Sequence, residues 1–574
     1  MSKSNTRLEL NWTEEWDEAA GLWRQEGGGH TAPVSRLACV HAAPTASSRL
    51  LLAAQLNQIG AVKAGGILQT LRDMQAQGGE RRGCLKWYLE EPGPVDTNAA
   101  FFVALGLIPL RLCHGEELDA LSRETLDAIL SGLRVWFDRE AQGRMFYYPN
   151  KFLGDVVCAW LLGEFCGAPT PSLAGIMADA ARYWHEHGWG WGEHMSDVYS
   201  RVCLDELSLL LLFSRSLPDD LRTLYTGLFS ELLAIDDAYG EGPRVPAIRT
   251  YDFINRPVRL PYRSRISPIQ APFALKEVQN LPVLGPLFHS HGWDRLAPPT
   301  VEPRSGSLRV PCFGGSCAEA WLAPDVRVGG MRRYPLMASA DRSTWGLSWQ
   351  SMPAAFWSPE GLWGFWQWET DENSVVRSHP AAVKRSAYLA NALTHQIRLP
   401  ITGRTFCLMK DGNLLVLRIM PAIVSAWTRL TDRLRLVEPA MHIETRPPSA
   451  GWGQMLIRLA KRTVAIQCVP LTGRFDATTP APALVERREP ARLADWSLDL
   501  DRTALGDALA MVTLWGVSVD GEAVEAPVFE PCADIPSQPQ EEELRAWNLT
   551  WRWPGVTWDV RIDPLDPRDP FARK

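Results

Sequence analysis

Between Trp184 and His194 the chain reads Trp-His-Glu-His-Gly-Trp-Gly-Trp-Gly-Glu-His: three histidines, two glutamates and three tryptophans in eleven residues. Imidazole exchanges protons near neutral pH, and indole offers a broad apolar face. The segment therefore has the residue types for acid–base work on a ligand that stacks. His194, nearest the apolar run that follows, is the imidazole expected to react, and Trp189 and Trp191 are the expected stacking surfaces. His185 and His187 form a His-x-His pair, and Cys312 and Cys317 lie close in sequence. Neither pair has further ligands at metal spacing, so no metal or other cofactor is expected. Two phenols compete for the partner role. Tyr251 is the first choice as base or acid; Tyr199, with Arg201 on the first turn after Asp197, is the second.

Arginine is concentrated nearby. Arg244, Arg249, Arg256, Arg259, Arg263 and Arg265 are opposed between residues 244 and 265 by Asp252 alone, in a chain of net charge −7. Guanidinium grips carboxylates through paired hydrogen bonds, so Arg244, Arg249 and Arg201 are expected to hold an anionic ligand. The acidic total and the lack of a nucleic-acid motif argue against nucleic acid.

These residues need elements to position them. In the first half, polar clusters open long apolar runs at a regular interval: Ser47, Asn98, Asn150 and Asp197 stand 51, 52 and 47 residues apart. A period near fifty suits a helical hairpin repeated several times. More amphipathic stretches such as ETLDAILSGLRVWFDRE fall between, as outer helices with one wet face should. The starts of the inner helices would gather at one mouth. Asn98 and Asn150 would bind there, where the helix dipole favours an anion. After about residue 306 the pattern alternates: Trp345, Leu347 and Trp349; Trp366 and Trp368; a hairpin in TFCLMKDGNLLVLRIMP around Asp-Gly-Asn; and Trp547, Leu549, Trp551 and Trp553. The expected organisation is an α domain over 1–300 and an antiparallel β-sandwich over 301–574, with PLDPRDPFARK a loose end.

Composition sets limits. The 574 residues exceed one core. Eleven cysteines, several inside helical runs, argue against a disulfide framework. No signal-peptide stretch is apparent at the start and no segment reaches membrane-span length, so a cytoplasmic protein with no membrane partner is expected. Phosphate-loop, dinucleotide and Gly-x-Ser-x-Gly motifs are absent.

Helical hairpins followed by β structure, together with Asp236-Asp237-Ala238-Tyr239-Gly240-Glu241-Gly242-Pro243, resemble the polysaccharide lyases of the heparinase II/III-like, alginate-lyase and chondroitin/hyaluronate-lyase groups. The chain departs from them at Arg244, near the place of a family tyrosine, and at Ala338–Arg342, which lacks a family histidine. The resemblance implies an incomplete (α/α) toroid followed by a β-sandwich. It also implies β-elimination at a uronate in an anionic oligosaccharide, by exo action if the protein is intracellular. Such chemistry needs donors such as Asn150 to neutralise the carboxylate and an imidazole or phenol to move the proton. Two alternatives stand beside it: a toroid glycoside hydrolase with Asp197 and Glu241 as acid and base, and a glycan-binding protein without catalysis.

Overall fold

A computed structural model describes residues 10–190, 193–248, 259–269, 275, 278, 283–334, 352–370, 404–421, 429–437, 442–446, 453–472, 483–487, 493–501, 510–520, 547–553 and 556–562. Helices fill the N-terminal half and antiparallel sheets the C-terminal region. The contacts divide the chain into two compact units. One comprises Met1–Glu186, Ser200–Asp237 and Leu260–Val301; the other comprises His187–Tyr199, Ala238–Arg259 and Glu302–Lys574.

The helices are α1 (Ala43–Gln55), α2 (Ala64–Asp73), α3 (Asn98–His114), α4 (Ala120–Gln142), α5 (Pro149–Phe165), α6 (Leu173–Glu186), α7 (Tyr199–Phe213) and α8 (Asp219–Tyr239), then the short α9 (Gly285–Ser290) and α10 (Trp293–Leu296). α1 packs on α3 and α3 on α5, while α2 packs on α4 and α4 on α6. The two rows differ as their sequences do. In α5, 15 of 17 residues are buried, because the run is mostly apolar around its circumference and its buried Lys151 and Asp155 pair with each other (2.6 Å). In α4 the buried residues form a stripe, Ser122, Leu126, Ile129, Leu130, Leu133 and Phe137, at helical spacing, and Asp119 caps its start through Ser122 N–H (2.9 Å).

The helix openers differ from expectation in two of four cases. Ser47 lies inside α1, which begins at Ala43 with Pro44 in its first turn, and the Ser47 hydroxyl turns back to the Pro44 carbonyl. Before α7 the cap is Ser196, whose hydroxyl accepts from Val198 and Tyr199 N–H (3.2 and 3.1 Å). Asp197 is left for another partner. Asn98 is the first residue of α3, and Asn150 follows Pro149 at the start of α5. The expected lack of a span-length segment is also corrected: Asn98–Glu117 is 20 residues long and apolar enough to cross a membrane, and 67% of its window is buried inside the protein.

Three short antiparallel strands, β1 (Trp16–Asp17), β2 (Leu22–Glu26) and β3 (Cys39–His41), precede the helices. At two to five residues they are too short to carry a readable alternation. In the other unit lie β4 (Gly306–Pro311), β5 (Cys317–Leu322), β6 (Arg327–Met331), β7 (Ala354–Ser358), β8 (Leu362–Thr370), β9 (Arg404–Lys410), β10 (Asn413–Pro421), β11 (Arg429–Val437), β12 (His442–Arg446), β13 (Gly453–Arg458), β14 (Thr463–Thr472), β15 (Ala483–Arg487), β16 (Leu493–Asp501), β17 (Ala510–Val519), β18 (Trp547–Trp553) and β19 (Val556–Ile562). One sheet has the order β15-β16-β11-β8-β7-β6-β5-β4 and another β12-β13-β14-β17-β10-β9; β18 and β19 pair separately. The expected hairpin is β9–β10, with Lys410 opposite Asn413 and the turn residues Asp411 and Gly412 both at positive φ. Trp345, Leu347, Trp349 and the C-terminal PLDPRDPFARK lie outside the described residues.

A single apolar core draws on both large sheets: Val328, Phe356, Trp366 and Leu436 from one, and Val416, Ile457, Ile466 and Trp515 from the other. A polar rivet crosses that core. Asp432 on β11, fully buried, accepts from Arg418 Nε (2.7 Å), Trp515 Nε1 (3.2 Å) and the Thr513 hydroxyl, all on strands of the other sheet. Burial of this carboxylate is tolerated because three donors, one of them a guanidinium, converge on it.

Candidate active site

The segment rich in histidine and tryptophan turns inward. Gly188, Trp189 and Gly190 form a run of left-handed residues (φ 55°, 56° and 66°). A Cβ on Gly188 would come within 2.7 Å of the Cys312 backbone, so the turn lies directly on the β4–β5 connection. His187 stacks on Phe313 there. Trp189 is 1% exposed and offers no open face, which corrects its expected stacking role: its ring is worth more inside the core than in water. His194 is also buried. Its Nε2 lies 3.0 Å from the Pro311 carbonyl, which fixes the proton on that nitrogen. Burial pushes its pKa down to about 3 despite that bond, and Arg244 adds to the effect. A buried imidazole of this kind stays neutral through the physiological range, against the expected acid–base role.

The arginines meet acids from elsewhere in the chain. Arg244 is fully buried, its guanidinium on the His194 carbonyl and its backbone N–H on Asp197 Oδ1 (3.3 Å). Arg259 Nε lies 3.2 Å from the same carboxylate, and its Nη1 donates to the Gly240 carbonyl (3.0 Å). Arg263 pairs with Asp237 (2.9 Å), and Arg265 lies 3.9 Å from Asp205. Arg327 on β6 binds the carbonyls of Tyr239, Glu241 and Pro243, so two arginines fold the stretch carrying the family resemblance. The expected ligand-binding role of Arg244 is corrected accordingly: its charge is consumed in the interior.

Of the remaining expected residues, Tyr199 is buried at the start of α7 and Arg201 donates to the Leu260 carbonyl. Glu241 is exposed. Asn150 is buried beside Lys151, whose ammonium bridges Glu140 (2.8 Å) and Asp155 (2.6 Å). Arg249, Tyr251 and Trp191 lie outside the described residues.

A constellation with two solvent-facing members, His30 and Asp96, and a buried phenol, Tyr88, forms next to Asn98 instead. His30, 43% exposed at its side chain, places Nε2 3.0 Å from Asp96 Oδ2 and Nδ1 2.9 Å from the Tyr88 hydroxyl. One tautomer makes both contacts hydrogen bonds. Nε2–H donates to the carboxylate, and Nδ1 accepts the phenol proton. The phenol oxygen in turn accepts the His30 backbone N–H (3.3 Å). The result is a carboxylate–imidazole–phenol chain, the nucleophile–base–orienter logic of acid–base sites applied to a phenol. Burial pushes Tyr88 up to about 12, so it enters any reaction protonated. It can take a proton only while passing its own to Nδ1, where Asp96 steadies the resulting imidazolium.

The supports of this chain are local. Gly29 has no side chain because a Cβ there would meet the Tyr88 ring at 2.4 Å. Trp87 meets His30 edge-on (centroids 4.6 Å apart) and Phe102 on α3 (5.2 Å). Asp96 Oδ1 also accepts the Asn98 N–H (3.0 Å), tying the chain to the start of α3. The sequence expectations missed His30, Tyr88 and Asp96 because 58 residues separate the imidazole from the phenol and neither sits in a dense motif. No protein-family model matches the chain, and no curated protein matches it.

Proposed function

We propose that the protein is a lyase that cleaves a uronate-containing oligosaccharide by β-elimination. The observation that carries this reading is the Asp96–His30–Tyr88 chain beside Asn98. Elimination needs a group that removes a carbon-bound proton and returns one to the leaving oxygen. Tyr88 hydrogen-bonded to an oriented imidazole can do both in turn. The Asn98 side-chain amide is the donor offered to the uronate carboxylate, without whose neutralisation the proton is too weakly acidic. Alternation of wholly buried and striped helices supports an incomplete (α/α) toroid, and a core shared by two sheets supports a β-sandwich, the architecture of the lyases that the chain resembles. Action on short fragments from an end is the form that suits an intracellular enzyme.

The test is a panel of uronate oligosaccharides followed by ultraviolet absorbance, which rises only when elimination creates a conjugated double bond. New reducing ends without absorbance would favour a hydrolase, and binding without either product would favour a glycan-binding protein. Both outcomes would overturn the lyase reading.

A further inference from the structure

Glu91 stands outside the Asp96–His30–Tyr88 chain, yet its side chain binds segments that carry two of the chain's members. The residue is 2% exposed. Oε2 accepts the backbone N–H groups of Trp87 (2.8 Å) and Tyr88 (3.2 Å), and Oε1 accepts the Thr31 hydroxyl. Thr31 adjoins His30, and the backbone groups adjoin or belong to the phenol. The turn that presents Glu91 is itself closed: its N–H donates to the Tyr88 carbonyl (3.1 Å), and Lys86 Nζ donates to the carbonyls of Leu89 (3.0 Å) and Glu91 (2.8 Å).

We infer that Glu91 is the positioning residue of the relay. One carboxylate grips two segments distant in sequence and thereby holds His30 Nδ1 against the Tyr88 hydroxyl. Hydrogen bonds to a carboxylate are short and strong, so the grip resists the drift that separate loops would undergo. Proton transfer requires heavy atoms within about 2.6–3.2 Å, and a misplacement of roughly 1 Å is enough for a loss of about 100-fold. Gln at this position keeps the size of the side chain but removes its charge, so the grip on the Trp87 and Tyr88 N–H groups and on Thr31 falls to ordinary neutral hydrogen bonds, roughly half as strong. This inference rests on the reading of the relay as the active site.

Nitrogen-15 spectra of histidine-labelled protein test it without any substrate. In the unaltered chain His30 should show a single tautomer with Nε2 protonated, and Tyr88→Phe should shift its Nδ1 signal. Glu91→Gln should move the same signal towards that of a freely exchanging imidazole while circular dichroism stays folded, and Glu91→Asp should restore part of the difference. Thr31→Val, which keeps the carboxylate and removes one of its partners, should move the signal in the same direction by less, and it serves if Glu91→Gln does not fold. An unmoved His30 signal in both Glu91→Gln and Thr31→Val overturns the positioning role. An unmoved signal in Tyr88→Phe removes the relay itself and the inference with it. If Glu91→Gln shifts His30 but no uronate is ever cleaved, the positioning role stands and the lyase reading falls.

Discussion

Two polar clusters in this protein contain the same chemical types and have opposite fates. The Asp197–Arg244–Arg259–His194 cluster has an acid, cations and an imidazole, but Arg244 is fully buried and His194 nearly so, and every described contact points into the fold. The Asp96–His30–Tyr88 cluster has an acid, an imidazole and a phenol, with His30 and Asp96 open to solvent at 43% and 30%. Burial separates them. In the first, desolvation drives the imidazole to its neutral form and binds the cations to carbonyls and carboxylates, so the cluster closes a turn. In the second, water and a ligand can reach the imidazole, so the hydrogen-bond chain can exchange protons. A dense run of chemically able residues is therefore a weaker guide than one exposed group with a well-placed partner.

The contrast can be broken most directly at the phenols. Tyr88→Phe should lower turnover of a uronate substrate about 10²–10⁴-fold, the range for a lost acid–base group, with its unfolding midpoint little changed. If Tyr199→Phe abolished turnover and Tyr88→Phe did not, the two clusters would exchange roles. Next in size is Arg259→Met, which leaves the Asp197 carboxylate short of a partner in a largely buried place. A loss of about 3–5 kcal/mol in denaturant unfolding is expected; a change within about 0.5 kcal/mol would mean that the cluster is not structural.

Gly188→Ala sharpens the same point at smaller scale. Its left-handed φ and the Cys312 backbone oppose a methyl group, so about 1–3 kcal/mol of stability should be lost, and a stable variant would argue that the turn is free to move. The mildest effect concerns pH and the loop that carries Tyr88. His41 lies between Glu90 (2.5 Å) and Asp17 (3.4 Å). The Glu90 hydrogen bond raises its pKa above the ordinary histidine value, with burial opposing and Asp17 adding. The stability from this clamp is fully present below the unfolded value near pH 6.5 and is lost as pH climbs through the raised folded value. Melting temperature should fall over that window in the unaltered chain and flatten in His41→Asn; an identical slope in both would remove the clamp from consideration.

Legibility followed distance along the chain. The wholly apolar face of α5, the stripe of α4 and the β9–β10 turn at Asp411-Gly412 are local patterns, and each could be read from a window of a few turns or strands. Asn98 was legible as a helix opener for the same reason. The described arginines were misread because Asp252 is the only acid between residues 244 and 265, whereas Asp197, Asp237 and Asp205 come from the turn before α7, from α8 and from α7 respectively. Trp189 was misread because three successive left-handed residues turn its ring inward, a conformation that Gly-Trp-Gly permits but does not demand.

The amino-acid sequence by itself determined the order of the helical half before the two large sheets, the alternation of buried and striped helices, and the residues at several element ends, since these depend on periodicity and backbone preference over short spans. Tertiary structure alone decided which polar groups face water, which carboxylate neutralises which arginine, and that His30, Tyr88 and Asp96 meet at the start of α3. Those outcomes depend on desolvation and on contacts between segments tens of residues apart, and neither is written in any local pattern.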